Sequence, residues 1–410
     1  MLLYLLHGLF LASWVSRSPE VQSLLGLSTF HMGIFVTLMS VGSIVGTYVG
    51  VRIVGRIGAR NSFRVSFVGL SVAYVVMGFV ATAGDILLSS AMIFLVGFCA
   101  SVGGLTNNLE GARLEHASPR SVLPSLHGMF SLGLLVGSGL GALIISRGIS
   151  VSAQFTAIGV VVSVAGVVAS FGIPQSPKLT NHADLSTAEI KQIPTKAEWR
   201  NVWRERRTVT IALIGMSFVV AESAAGTWLP IALVDSGMSQ TNAALAFMFF
   251  AVAMTVGRFA GGFVLDRLGR VRTTVIIASI ACIGIATVMA NGLLHMSYLG
   301  ALLWGLGCSL GFPIAVSALG DDPRMAPPRV NSLVLTAQGS NLAAGPVLGA
   351  LGQVFGLFGA FTVPVVLLIG SIFSSKWTAP LTSASTNGES LPTDAIDVVQ
   401  VIAQREIDEY

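Results

Sequence analysis

Charge is what this sequence has least of. Only 10% of its 410 residues are Asp, Glu, Lys or Arg, where a soluble domain carries about a quarter. With 53% hydrophobic residues and a mean hydropathy of +0.80, water cannot solvate the chain as a globule. A soluble enzyme and a soluble nucleic-acid binder are both excluded. Cysteine is scarce too: Cys99, Cys282 and Cys308 each stand alone in an apolar run. They spell out neither a disulfide framework nor a metal site and read as small packing residues. No Gly-x-x-x-x-Gly-Lys-Ser/Thr loop occurs, which argues against ATP-driven pumping. No Ser/His/Asp or metal-ligand constellation occurs either, so neither an enzyme nor a cofactor is expected.

What the chain has is apolar runs of bilayer length, about 20 residues each. Twelve are readable, at roughly 1–16, 31–54, 63–83, 86–109, 122–146, 151–173, 209–232, 240–264, 273–291, 296–319, 330–354 and 357–378. They are apolar nearly all round and scattered with Gly, Ala and Ser, which suits close helix packing in lipid. Alternating ten-residue segments, the mark of a barrel, are missing. The expected class is an all-α membrane protein. The opening run MLLYLLHGLFLASWV leads into Arg17 without a small-residue cleavage site, so it reads as a slightly short first span and not as a removed signal.

The positive charges set an expected topology. Of 23 Lys and Arg, twenty fall in the breaks after even-numbered spans or in the tail. Only Arg17 and Arg147 fall in odd breaks, and Arg258 lies inside span 8. By the positive-inside rule, both termini face the cytoplasm of an inner-membrane protein.

The chain also repeats itself. Gly137-Ser-Gly-Leu-Gly-Ala-Leu143 in span 5 matches Gly345-Pro-Val-Leu-Gly-Ala-Leu351 in span 11 at an offset of 208. Arg56-Ile-Gly58 after span 2 matches Arg267-Leu-Gly269 after span 8 at an offset of 211, as Gly50 matches Gly261. A duplicated six-helix unit follows, with halves at 1–173 and 208–379. Between them, 174–207 is a basic linker. Thr195-Lys-Ala-Glu198 resembles a capping box and opens a short helix with Trp199 and Trp203 four residues apart, expected at the headgroup layer. The segment 380–410 is a Ser/Thr-rich, then acidic, cytoplasmic tail.

The stretch Gly262-Phe-Val-Leu-Asp266-Arg267-Leu-Gly269-Arg270 resembles the signature loop of the major facilitator superfamily. The copy after span 2 is degraded, with Gly55 in the aspartate's place. Asn108…Glu115…His127-Gly-Met-Phe-Ser131-Leu-Gly133 and Glu222-Ser-Ala-Ala-Gly-Thr-Trp228 are similar to a sugar-permease-like branch. The resemblance implies twelve helices in two pseudo-symmetric halves related by an axis along the membrane normal, with the first helix of each half lining a central cavity.

Each ionisable group deep in a bilayer needs an explanation. Among 19 acidic residues only Glu222 is deep, about 20 Å along its helix from Arg207 at 1.5 Å per residue. Two readings are open to it: a role in proton coupling or substrate contact, or a structural hydrogen bond to neighbouring helices. His7, Trp14, Asn108, His127, Trp228, Gln338 and Asn341 are candidate cavity residues, each with a packing or belt-anchoring alternative. Glu110, Arg113 and Glu115 form a polar cluster at the inner side of span 4, read as a cytoplasmic gate or latch, where Glu110 and Arg113 can pair at i, i+3. The resemblance implies a cytoplasmic gate of Arg258, Asp266, Arg267 and Arg270, with Arg258 in a charge relay with Asp266 and Arg267; a substrate ligand is the alternative role for Arg258. Pro346 and Pro364 are expected to bend spans 11 and 12.

The leading expectation is a monomeric secondary transporter for a small polar organic solute, such as a sugar, coupled to protons. Drug or metabolite efflux by antiport is the alternative. Gly128, Gly137 and Gly141 resemble part of an antiporter motif, although Ala142 replaces its proline. A transporter-like sensor that moves nothing is the third reading.

Overall fold

The computed structural model describes residues 1–117, 123–173, 196–290, 294–322 and 324–381. Among these described residues there are twelve α-helices: α1 (Leu2–Leu24), α2 (Thr29–Thr82), α3 (Ile86–Ala117), α4 (Leu123–Ser146), α5 (Val151–Ser170), α6 (Lys196–Asn201), α7 (Arg206–Asp235), α8 (Gln240–Met289), α9 (Leu294–Cys308), α10 (Gly311–Leu319), α11 (Ala326–Ala360) and α12 (Thr362–Ser374). Helices do not map one to one onto spans. Among the described residues, eight helical segments are long and apolar enough to cross a bilayer.

Two of the eight carry two spans each. α2 has 54 residues and would run about 80 Å if straight, against a hydrocarbon core of about 30 Å. It breaks at Gly58, where φ is 77° and ψ is 164°. This left-handed conformation is one that only glycine adopts cheaply. Beyond it the chain doubles back: Ser43 Oγ donates to the Gly97 carbonyl and Ser66 Oγ to the Cys99 carbonyl, so both arms lie against the same level of α3. α8 repeats the device at Gly269, with φ 70° and ψ 167°. α1 and the shorter apolar stretch Thr362–Thr378 complete twelve spans.

The duplication reappears in the backbone. Positive-φ glycines occur at Gly26 and Gly237, Gly58 and Gly269, and Gly148 and Gly356, at the offsets 211, 211 and 208 that the sequence repeat shows. Ser28 caps α2 and Ser239 caps α8 at the same 211 offset, each accepting a backbone N–H. The boundary between spans 11 and 12 falls in the expected gap at 355–356, but the role of Pro364 differs from expectation. The break is Gly356, and Pro364 sits in the first turn of α12, where a missing N–H costs nothing. Proline therefore starts that helix; it does not bend it.

The two halves meet along α2 with α11 and along α4 with α8. The first contact is backbone-close: a Cβ on Gly33 would overlap the Gly345 carbonyl oxygen and stand 3.2 Å from the Gly349 Cα. Further along the same seam, the Phe30 amide donates to Gln353 Oε1 and Ser40 Oγ to the Asn341 carbonyl.

α1 also departs from expectation. It runs eight residues past the expected edge of the first span, and Arg17 is 2% exposed. In place of a loop cation, it is a buried staple. Its Nε donates to Gln154 Oε1 at 2.7 Å and Nη2 to the Ile149 carbonyl at 2.5 Å, while Nη1 pairs with Glu20.

At the arginine-bearing end, ion pairs strap the second half together. Asp321 accepts from Arg270 at 2.6 Å and Arg207 at 2.8 Å, and also from the Leu381 amide. Glu205 pairs with Arg329 at 2.8 Å and Glu198 of α6 with Arg324 at 2.6 Å. The described part of the linker is thus docked on the second half, with Trp203 exposed. Burial works to raise both the Asp321 and Glu205 carboxyls, but the arginine hydrogen bonds outweigh it and hold each below its ordinary value of 3.8 or 4.5. Lowered carboxylate pKa values contribute stability above those ordinary values, lost as pH falls through the lower folded values. The melting temperature should therefore hold from pH 7 to about 5 as far as this cluster is concerned and drop below about 4. Asp321→Asn should flatten that acid limb in a melting series, and an unchanged limb would show that the strap contributes nothing.

Candidate functional site

Along α7 the accessible residues form one stripe. Leu213, Met216, Val219, Glu222, Ser223, Gly226 and Thr227 are partly or fully exposed, while the rest of the helix between them is buried. The stripe stops abruptly, and Trp228 through Leu233 are buried without exception. On α1, Ala12 through Pro19 are likewise all buried. Both helices are therefore enclosed at the end remote from the basic loops, and α7 is open along one face from its Arg206 end as far as Thr227. We read this accessible face as the wall of a cavity closed at one end.

Packing behind α7 sets the direction of that stripe. Trp304 of α9 is fully buried, stands edge-on to Phe250 and Phe361, and donates its indole N–H to the Ala221 carbonyl at 3.2 Å. With the far side of α7 clamped, Glu222 and Ser223 turn toward α8 and α11 of the same half, where their partners Arg258 and Asn341 lie. On α8, Gly257 and Gly261 lie against Ser309 and Leu310. Two small residues one turn apart let the helices approach closely and direct Arg258 away from that contact.

Arg258 then bridges the halves. One terminal nitrogen, Nη2, lies 3.2 Å and 3.4 Å from the two Glu222 oxygens, and Nη1 donates to Ser131 Oγ of α4 at 2.9 Å. The side chains of the pair are 24% and 34% exposed, so the charges border the cavity. Beside them Ser223 Oγ donates to Asn341 Oδ1 of α11. Gln338, one turn earlier on α11, is half-buried and makes no hydrogen bond among the described residues. Gly226 adds room one turn beyond Glu222, since a Cβ there would meet nothing within 4 Å.

Other expected cavity residues lie elsewhere. His7 is 8% exposed and packs between α1, α2 and α3, with Nδ1 at 3.0 Å from the Leu3 carbonyl and 3.4 Å from the Asn107 amide and its ring edge-on to Phe67. Trp14 is 3% exposed and packs on Phe35. Trp228 is 1% exposed and closes the sealed end instead of offering a platform. All three are packing residues here because close neighbours, Gly103 beside His7 among them, leave their rings no open face. Asn108 is exposed and forms no hydrogen bond among the described residues. The side chains of Glu115 and His127 lie outside the described residues.

The expected relay around Arg258 is also corrected. Asp266 is two turns away on the same helix, about 12 Å at 1.5 Å per residue, and is exposed, so Arg258 pairs with Glu222. Arg267 lies 3.9 Å over the Phe263 ring, and Arg270 belongs to the Asp321 strap. Glu110 and Arg113 do pair, at 2.5 Å on one face of α3. Ser131 and Ser223 lie in the two permease-like stretches but were not singled out as site residues, since serine is common in all these helices. Only the adjacency of Ser223 to Glu222 could have flagged it.

Comparison with known proteins agrees with this architecture. The Major Facilitator Superfamily matches residues 1–350. An uncharacterised MFS-type transporter of Yersinia pestis is 21% identical over 92% of this chain and 94% of its own. An uncharacterised transporter of Sinorhizobium fredii is 24% identical over 89% and 95%. Among solved structures, the nucleoside transporter NupG superposes with a TM-score of 0.69 at 15% identity, covering 92% of this chain and 96% of that one. A D-xylose-proton symporter gives 0.71 at 15% identity, over 92% and 96%. With twelve spans in two halves and the family matched over most of its length, the chain belongs to the Major Facilitator Superfamily and is a multi-pass membrane transporter.

Proposed function

We propose that the protein moves a small polar organic solute by proton-coupled alternating access, with Glu222 as the group that takes up and releases the proton. The observation that carries this reading is the Glu222–Arg258–Ser131 bridge, in which the one deep acidic residue touches the other half through a shared arginine. A coupling site must sense both the solute and the relative position of the halves, and a carboxylate whose counter-ion is tied across the seam does so. The solved structure named as a D-xylose-proton symporter supports the same class of solute and ion. With the arginine-bearing end placed in the cytoplasm by the positive-inside rule, the cavity of this conformation opens inward. Both termini are then cytoplasmic, and the sealed end faces outward.

The test uses proteoliposomes with a pH-sensitive dye trapped inside, presented in turn with sugars, nucleosides and sugar acids. In the wild type at least one solute should change the lumenal pH, acidifying it for symport and alkalinising it for antiport. Glu222→Gln should abolish the change while the protein remains inserted and folded. A variant that still couples solute to proton movement would remove Glu222 from this role.

A further inference from the structure

We infer that the cargo is an organic anion, a carboxylate-bearing polar solute, and that Arg258 is the residue that binds it. This rests on the transporter reading above and sharpens it. A guanidinium has five N–H donors arranged as a planar fork. Arg258 directs Nη1 to Ser131 and Nη2 to Glu222, and it makes no other hydrogen bond among the described residues. Both Glu222 oxygens converge on the single Nη2. The carboxylate therefore does not engage the fork in the paired, parallel fashion that makes such contacts strong. A planar acceptor with two oxygens entering the open side of the cavity could occupy the fork better than Glu222 does.

Charge balance points to the same class of cargo. The resting pair is neutral. If a neutral solute came with a proton on Glu222, Arg258 would be left as an uncompensated cation in a cavity walled by apolar helices, which is costly. With an anion, the solute carboxylate takes Glu222's place on Arg258, and the displaced Glu222 carboxylate takes one proton from the same aqueous side. The loaded site holds Arg258 cation, solute anion and neutral Glu222, and is neutral again. Release reverses both steps, so one anion and one proton cross together and no net charge moves.

Few other groups could disturb this exchange. Cys308 of α9 is buried within electrostatic reach of both charges. The ionisable groups of α1 have partners of their own, His7 with Leu3 and Asn107, and Arg17 with Glu20. From α11, Asn341 accepts from Ser223 beside the pair, and Gln338 lies one turn earlier on the same helix. These amides, with Ser223 and the space at Gly226, suit the hydroxylated remainder of such a solute.

The experiment pairs each acid with its neutral counterpart, gluconate with glucose and galactonate with galactose, on purified full-length protein. Carboxylates should raise the melting temperature where the parent sugars do not. Arg258→Gln combined with Glu222→Gln, which leaves no lone charge, should weaken acid binding by about ten- to a hundredfold. In proteoliposomes, acid-driven proton entry should run at the same rate with and without an inside-negative potassium–valinomycin potential. Binding of neither acid, equal binding of a parent sugar, or uptake accelerated by the potential would each overturn the anion assignment. Proton movement with a neutral sugar would do so while leaving the transporter reading intact. Absence of proton movement with every solute would remove both.

Discussion

Gly33→Val is expected to slow solute exchange by about five- to 150-fold while each half stays folded. At Gly33 the α2 backbone touches the α11 backbone, and an added Cβ overlaps the Gly345 carbonyl oxygen and crowds Gly345 C at 3.1 Å. Neither partner is a flexible side-chain end, so relief requires the helices to separate. The contact lies between halves and not within one, so the strain of about 1–3 kcal/mol for overpacking falls on the sealed conformation alone. The corresponding shift in a two-state balance is about five- to 150-fold. The equilibrium should move toward the state open at the end now closed. A cysteine placed at Val219, on the accessible stripe of α7, should then lose reactivity toward an impermeant maleimide from the arginine-bearing side and gain it from the other. Unchanged labelling with unchanged transport would show that this seam does not separate during turnover.

Arg17→Met should destabilise the first half by about 3–5 kcal/mol, the cost of leaving buried partners of an ion pair uncompensated. The arginine ties α1 to α5 through Gln154 and to the turn before α5 through the Ile149 carbonyl, with Glu20 as its counter-ion. Methionine preserves most of the volume and none of the donors. Gln154 would keep its bonds to Ser13 and Ser16 but lose its strongest partner. Adding Glu20→Gln should recover part of the loss by removing the stranded charge. Thermal unfolding of the purified variants measures both effects. A single substitution that unfolds within a degree of wild type would show that the network is dispensable.

Much of the fold was legible in residue order. Gly58 and Gly269 were readable as corresponding positions because Arg-x-Gly recurs at an offset of 211, and they prove to be the two hairpin breaks with matching dihedrals. Arg17 was misread as a loop residue because a cation normally ends an apolar run. Its satisfaction by Gln154 and Ile149, more than 130 residues away in sequence, leaves no local trace. Glu222 stood out because an acid at that depth is rare. Its partner Arg258 was visible as the one cation inside a span, but it was joined to the wrong neighbours. The family resemblance suggested a relay with Asp266 that two helical turns on the same helix prevent.

Sequence by itself determined what depends on depth: how many spans there are, which loops carry the arginines, and how far along its helix each polar residue lies. Tertiary structure alone decided what depends on rotation about the helix axis. It turned His7, Trp14 and Trp228 into packing residues, brought Arg258 to Glu222 and Ser131, and opened one face of α7. The physical reason lies in the solvent. A helix in water is oriented by its apolar stripe, but these spans are apolar nearly all round. Their rotation is set by close contacts such as Gly257 on Ser309 and Trp304 on Ala221, which no periodicity announces.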